Sequence, residues 1–247
     1  MKLKLITYLL LLNSIIYAQE AFEAKYIVKF KSTNFDSIYE NNKKLKKLKK
    51  DFYINLFKKN EEKLIALSKK ASLSLIFNKE ESVFSIGEIL SIKESREFRL
   101  FKANIGLYGE YYTDISNTLE SKNSYGQDFI VHLPKFKWKI TNDRKKIDKY
   151  TCYRATTIKE VKNSNGKHRV KIVAWFTPQL PYNFGPKEFN GLPGLILELN
   201  EGDNLIFRLK ELKKIKKREI KKPTKGKKIT LKEFIALSKK MYENRGN

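Results

Sequence analysis

Apolar and polar positions alternate with different periods along the chain, and those periods divide it. Residues 24–31 (AKYIVKFK) switch between apolar and polar every second residue, the rhythm of a half-buried strand. Leu45, Leu48, Phe52 and Leu56 then recur at three and four through KKLKKLKKDFYINLFKK, which predicts an amphipathic helix with a lysine back. Beyond residue 71 the strand pattern returns. LSLIF at 73–77, SVFSIGEIL at 82–90, EFRLFK at 97–102, residues 105–112 and residues 129–133 read as strands, with a polar stretch around 117–126 separating the last two. Residues 150–161 form a longer strand. Asn165-Gly166, inside KNSNGK, predicts a two-residue hairpin turn, and residues 168–176 return with Val170, Ile172, Ala174 and Phe176 on one face. Residues 195–199 and 205–212 complete the series.

Strands that follow strands, with few helices between, predict an α+β, β-rich fold: a curved antiparallel β-meander with a few amphipathic helices packed against it. A basic tract at 213–228 carries ten basic residues and one acid, and its first half reads as an exposed continuation of the last strand. Thr230-Leu231-Lys232-Glu233 is a capping box opening a terminal helix, with Leu231, Phe234, Ile235, Ser238 and Met241 on one side. At the other end Lys2 and Lys4 precede an apolar run at 5–18 that closes on Ile16-Tyr17-Ala18 before Gln19. Fourteen residues are too few to span a bilayer comfortably, so this segment reads as a cleaved export signal. The expected organisation is a signal peptide at 1–18, a strand and Lys-rich helix at 19–72, a β-rich core at 73–212 and a basic tail at 213–247. Residues 19–247 are expected to form one domain, exported to the periplasm or held at the outer membrane.

Composition changes the picture in one respect. The 247 residues carry 52 Lys plus Arg against 27 Asp plus Glu, a net charge of +25. That charge is uneven: residues 1–79 sum to +10, residues 80–205 to +3 and residues 206–247 to +12. Of the basic residues 44 are Lys and 8 are Arg. Base-edge readers favour the planar fork of Arg, and export removes the chain from cytosolic nucleic acid. Two readings of the lysines stay open, a coding bias and an anionic envelope surface. A mean hydropathy of −0.53 excludes a polytopic membrane protein.

Candidate chemistry is sparse. Cys152 is the single thiol, and would act as a nucleophile only if His168 or His132 approached it. In an Asn165-Gly166 hairpin His168 lies opposite Asn163, roughly 35 Å along the ladder from Cys152. The alternation of Cys152 with Thr151 and Tyr153 fits a small core residue instead. Two His without metal-ligand spacing predict no metal, and no cofactor-binding motif is present. Asp143 and Asp148 sit among basic residues as surface groups. Between Trp175 and Leu199, however, WFTPQLPYNFGPKEFNGLPGLILEL gathers Pro178, Pro181, Pro186 and Pro193 with Gly185, Gly191 and Gly194. Such a loop is stiff. It serves either as a binding surface or as a plug closing one end of the sheet.

The hexapeptide Gly191-Leu192-Pro193-Gly194-Leu195-Ile196, led in by Trp175-Phe176-Thr177 and Gly185-Pro186, resembles the signature of the GLPGLI family, exported proteins of the Bacteroidota largely without assigned function. Tyr150-Thr151-Cys152-Tyr153-Arg154-Ala155 and LSLIFNKEESVF at 73–84 fit the same pattern, and the resemblance covers residues 73–212 best. It implies no catalytic residues. The candidate site is accordingly the motif loop: Trp175, Phe176, Pro178, Gly185, Pro186, Phe189, Gly191, Leu192, Pro193, Gly194, Leu195 and Ile196. The expected function is non-enzymatic, binding an apolar or amphipathic ligand or an outer-membrane partner. A basic module for anionic lipid or lipopolysaccharide is the alternative, and a thiol enzyme using Cys152 the second.

Overall fold

The computed structural model describes residues 20–31, 34–42, 45–47, 49–87, 95–163, 166–216 and 219–244. The export segment therefore lies outside the described residues. Among those described, twelve strands form one open sheet, β1 (Ala21–Phe30), β2 (Leu73–Phe77), β3 (Ser82–Ile86), β4 (Glu110–Thr113), β5 (Thr118–Ser124), β6 (Gln127–Leu133), β7 (Lys139–Ile147), β8 (Tyr150–Asn163), β9 (Gly166–Thr177), β10 (Leu195–Glu201), β11 (Leu205–Ile215) and β12 (Lys227–Thr230). Four helices accompany them, α1 (Phe35–Asn41), α2 (Lys50–Lys70), α3 (Arg96–Asn104) and α4 (Leu231–Glu243). The strand order is β12-β6-β5-β4-β3-β2-β1-β11-β10-β9-β8-β7. Two antiparallel runs, β1 to β6 and β7 to β11, join through the β1–β11 pair, and β12 adds to β6 in parallel. The fold is β-rich α+β.

One face of the sheet carries the core. Register places Ala155, Ala174, Leu199, Phe207 and Val28 side by side on it. Ala24, Leu75, Phe84, Tyr111, Glu120 and Val131 continue the same face across the other run. Phe98, Phe101, Ile105 and Leu107 from α3 and its exit pack into this face together with Phe184, Phe189 and Leu192 from the loop after β9. On the opposite face Ile76, Tyr112, Leu119 and Ile130 are covered by Ile220.

Several sequence expectations are corrected. EFRLFK is helical, not extended: the Ser95 side chain accepts from the Phe98 amide at 3.0 Å, and Phe98 and Phe101 are buried one turn apart while Leu100 stays 51% exposed. The helical period of three wins over the apparent alternation. The polar stretch after residue 117 is strand β5, and β7 is a further strand whose exposed Lys and Arg suit a sheet edge. Helix α2 starts only at Lys50 and buries Tyr53 and Ile54, whereas Phe52 is 62% exposed and Leu56 also faces out. Leu45 precedes the helix in a 3₁₀ turn, and Leu48 lies outside the described residues. The expected exposed continuation of the last strand is present: β11 runs on to Ile215, paired with β1 on one side and, beyond Arg208, with no strand on the other among the described residues, and Lys213 and Lys214 are exposed there. The pair Asn163–Gly166 moves the hairpin turn one residue back, onto residues 164 and 165, outside the described residues. The capping box is present with both of its hydrogen bonds.

Candidate functional site

The loop from Pro178 to Gly194 leaves β9 and folds back over the inner face of the sheet. Prolines fix its turns, and two glycines admit approaches that no side chain would allow. A Cβ on Gly194 would stand 2.1 Å from the Thr177 carbonyl oxygen, at a φ of +152°. A Cβ on Gly185 would stand 2.6 Å from Ile196 Cδ1. Amides of Leu195 and Ile196 donate to the carbonyls of Leu180 and Phe184 at 2.9 and 3.0 Å, so the hexapeptide binds the loop to the strand that follows it. The Tyr26 hydroxyl donates to the Ile196 carbonyl at 2.6 Å from the facing β1.

Of the residues singled out in the sequence, Phe176, Gly185, Pro186, Phe189, Leu192, Gly194, Leu195 and Ile196 are buried. Pro178, Gly191 and Pro193 are exposed. Trp175 is half-buried on the outer face, where the Lys145 ammonium sits 4.4 Å from its ring. Phe189 is the centre of the inner group: Phe136 stacks on it at 4.8 Å, and the Trp138 indole N–H donates to the Asn190 carbonyl at 2.8 Å. Asn190 Nδ2 reaches Thr118 Oγ1 at 2.9 Å. The loop thus ties β5, the β6–β7 connection and β10 together.

Sequence reasoning missed the charges beside it. Lys187, with a φ of +58° and a side chain 0% exposed, donates to Glu201 at 2.6 Å and to the Ile105 carbonyl at 3.3 Å. Lys159 of β8 bridges Glu201 at 2.8 Å and Glu188 Oε1 at 2.7 Å. Two ammoniums and two carboxylates leave this buried group neutral. Burial alone would raise the Glu201 carboxyl, but the Lys187 and Lys159 ammoniums outweigh it and hold it down at about 2. Burial would likewise lower Lys159, and the Glu188 and Glu201 carboxylates instead raise it above the ordinary lysine range. Glu188 Oε2 is buried and has no hydrogen-bond partner among the described residues. Next to this group Tyr111 donates to Glu120 at 3.1 Å, and burial, reinforced by Glu188, Glu120 and Glu201, pushes its hydroxyl well above the usual tyrosine value. The signal available in the sequence was Lys187-Glu188 inside an otherwise uncharged loop.

Glu188 and Lys159 open onto a groove of about 1510 Å³ between the two ends of the strand order. One wall is β8 and β9, with Ile158, Val161, Arg169 and Lys171; the other is His132 to Lys139 and the start of α4, with Leu231 and Ile235. Lys135, Lys137, Lys139, Lys159, Lys167, Arg169, Lys171 and Lys232 line it against two acids, Glu160 and Glu188. Among the described residues Glu188 is the one buried residue that lines it.

Cys152 does not line the groove; its cross-strand partner is Lys145. It is 0% exposed on the core cluster, and burial pushes its thiol up to about 11. His168 pairs with Val161, nine residues along β8, roughly 30 Å away at ~3.3 Å per residue. His132 is exposed at the groove. Asp143 is a surface group, held by Arg154 at 2.8 Å, and Asp148 sits in the β7–β8 turn at a φ of +53°. Among the described residues no three His, Cys, Asp or Glu are grouped to hold a metal ion, and no helix is long and apolar enough to cross a membrane.

Residues 163–198, which contain β9, the loop and the hexapeptide, match a family described as a protein of unknown function (Porph_ging). No curated protein matches the chain. Among solved structures the chain is similar to PNGF-II in the C2 space group, at 15% identity over 85% of this chain and 30% of that one, with a TM-score of 0.49. The P21 form gives 15% identity, 88% and 33% coverage and a TM-score of 0.48. The chain spans about a third of the length of those structures.

Proposed function

We propose that this is an exported, non-enzymatic envelope protein of the GLPGLI type, periplasmic or outer-membrane-associated, which holds an elongated, negatively charged amphipathic partner in the groove at the open end of its sheet. The sheet is curved in this reading. Strands β6 and β7 stand ten steps apart in the order, roughly 48 Å if laid flat at ~4.8 Å per strand. The connection from Leu133 to Lys139 reaches at most ~21 Å at about 3.5 Å per residue. A sheet rolled until its ends approach satisfies both. The plug of α3 and the motif loop then fills the concave face and leaves the seam between the ends as the groove.

The observation that carries the proposal is the composition of that groove: eight cationic side chains against two acids over an apolar floor of Leu133, Phe136, Val161, Leu231 and Ile235. Ordinary small-molecule sites span about 300–1,000 Å³, so the groove suits something longer. Titration with anilinonaphthalene sulfonate, an anionic aromatic amphiphile, tests it. The probe should bind saturably, weaken as salt rises, and weaken at least tenfold in Arg169→Glu/Lys171→Glu. Binding that the groove variant leaves unchanged, and that Lys58→Glu/Lys59→Glu on α2 abolishes, would transfer the function to the basic flank and reject the groove.

A further inference from the structure

The groove has a wall that an acyl chain would not satisfy. Strand β7 follows β8 only as far as the pair Lys139–Thr156. From Thr157 to Asn163 β8 pairs with β9 on one side, and among the described residues no strand lies on the other. Among the described residues no turn or loop backbone bond reaches that edge either. Seven residues at ~3.3 Å each give a bare edge of roughly 23 Å, and alternate residues along it aim both N–H and C=O outward. The chain that would occupy the next lane, residues 134–138, instead turns inward, where Phe136 stacks on Phe189 and Trp138 bonds Asn190. Among the described residues nothing occupies the lane beside β8, which opens into the groove.

We infer that the partner is an extended acidic polypeptide segment that docks as an additional strand on the β8 edge at 157–163. The inference rests on the groove reading above and deepens it. An acyl chain laid along this wall would cover backbone donors and acceptors without replacing their bonds to water, whereas a strand replaces each one. The side chains agree with the backbone. On one face of the β8–β9 pair lie Ile158 with Lys171 and Glu160 with Arg169, which sets those two cations one strand beyond β8; the cations that acids on an added strand meet are Lys135, Lys137 and Lys232 of the opposite wall. On the other face Val161 and Val170, with Leu133 and Leu231 across the groove, offer apolar contact to the alternate residues. Glu188 Oε2, buried and without a partner among the described residues, supplies an acceptor for a donor from the segment. A neutral donor such as a Ser or Thr hydroxyl fits best, because Lys159 and Lys187 already balance Glu188 and Glu201.

The test uses the mature chain, a nine-residue peptide alternating valine or threonine with glutamate, and tetradecanoate. The peptide should bind in competition with anilinonaphthalene sulfonate and slow amide exchange at 157–163 at least tenfold. Two further peptides carry N-methyl groups on the odd or on the even backbone nitrogens. Only one edge of an added strand meets β8, so one methylated form should lose at least tenfold in affinity and the other should bind like the parent. Equal binding by both forms, or competition by tetradecanoate alone, would overturn strand addition while leaving the groove as the site. Binding by none of the probes would overturn the groove itself.

Discussion

Replacing Gly194 by alanine tests whether the hexapeptide is a mechanical part of the fold. A Cβ there would lie 2.1 Å from the Thr177 carbonyl oxygen and 2.9 Å from the Pro178 nitrogen, both backbone atoms at the point where β9 ends. No rotamer change relieves a contact with backbone, so either β9 or β10 must move. The φ of +152° adds a conformational cost of roughly 1–3 kcal/mol for an L residue. Overpacking a tight core contributes about another 1–3 kcal/mol. Gly191 is the internal control, because it has a φ of +87° but nothing within 4 Å of a built Cβ. Gly191→Ala should therefore cost only the left-handed term, about 1–2 kcal/mol, and lower the melting temperature by roughly 2–8 °C at about 2–4 °C per kcal/mol for a domain of this size. Gly194→Ala should cost about 2–6 kcal/mol, and its excess over Gly191→Ala measures the contact. Urea unfolding followed through Trp138 and Trp175, which flank the loop, separates the two variants. A Gly194→Ala protein as stable as Gly191→Ala would refute the steric argument.

Lys187→Met leaves Glu201 buried beside a single ammonium and should cost ~3–5 kcal/mol in urea unfolding. Lys187→Met/Glu201→Met retains the neutral Lys159–Glu188 pair and should recover most of it. Because the folded-state pKa of Glu201 lies at about 2, below its ordinary 4.5, its contribution to stability is complete above pH 4.5 and is lost as pH falls toward 2. Asp114, for which burial is outweighed by hydrogen bonds from Lys222 and the amides of Asn117 and Ser116, is also lowered to about 2 and adds to the same acid limb. The urea midpoint should hold between pH 7 and 5 and fall below, and Glu201→Gln should flatten that limb. Cys152, with its thiol at about 11 and no exposed surface, should react with a thiol reagent only at the rate of global unfolding; stoichiometric modification of the native protein within minutes would refute the buried assignment.

What could be read from the sequence follows a physical division. Strands β1, β2, β6, β8, β9, β10 and β11 were legible because apolar residues either repeat along one face or, as in β2, β6 and β10, run nearly unbroken where both faces are covered. Strand β5 was not. It places Glu120 and Lys122 inward, 2.8 Å apart with side chains 5% and 9% exposed, so the sheet's interior reads there as a solvated stretch. A charge that is neutralised by its neighbour looks the same in sequence as one neutralised by water. The same ambiguity hid Lys187 and Glu188 inside the motif loop. Helix α3 failed for another reason: in six residues, apolar positions 98, 100 and 101 satisfy both periods, and only the Ser95 cap decides between them. The start of the terminal helix was legible to the residue because its cap is local, two hydrogen bonds within four positions.

The motif and the groove are consequences of one arrangement. A sheet that carries its first and last long strands side by side, β1 against β11, leaves β7 and β12 as its two ends, and among the described residues no strand pairing closes them. The loop after β9 holds them instead. Asn190 joins β5 to the β6–β7 connection, Glu188 holds Lys159 of β8, and Lys187 fixes Glu201 of β10 to the exit of α3. Each of these contacts falls within four consecutive loop residues, and each needs the loop to reverse tightly against β9, which the glycines on either side permit. Because Phe136 and Trp138 turn in to meet Phe189 and Asn190 of that loop, β7 begins only at Lys139 and the β8 edge beyond Thr156 keeps no strand beside it among the described residues. The buried motif therefore creates a binding edge that it does not itself form, and the residues best marked in the sequence are the support for a site built from the poorly marked ones, Lys159, Arg169, Lys171 and the backbone of 157–163.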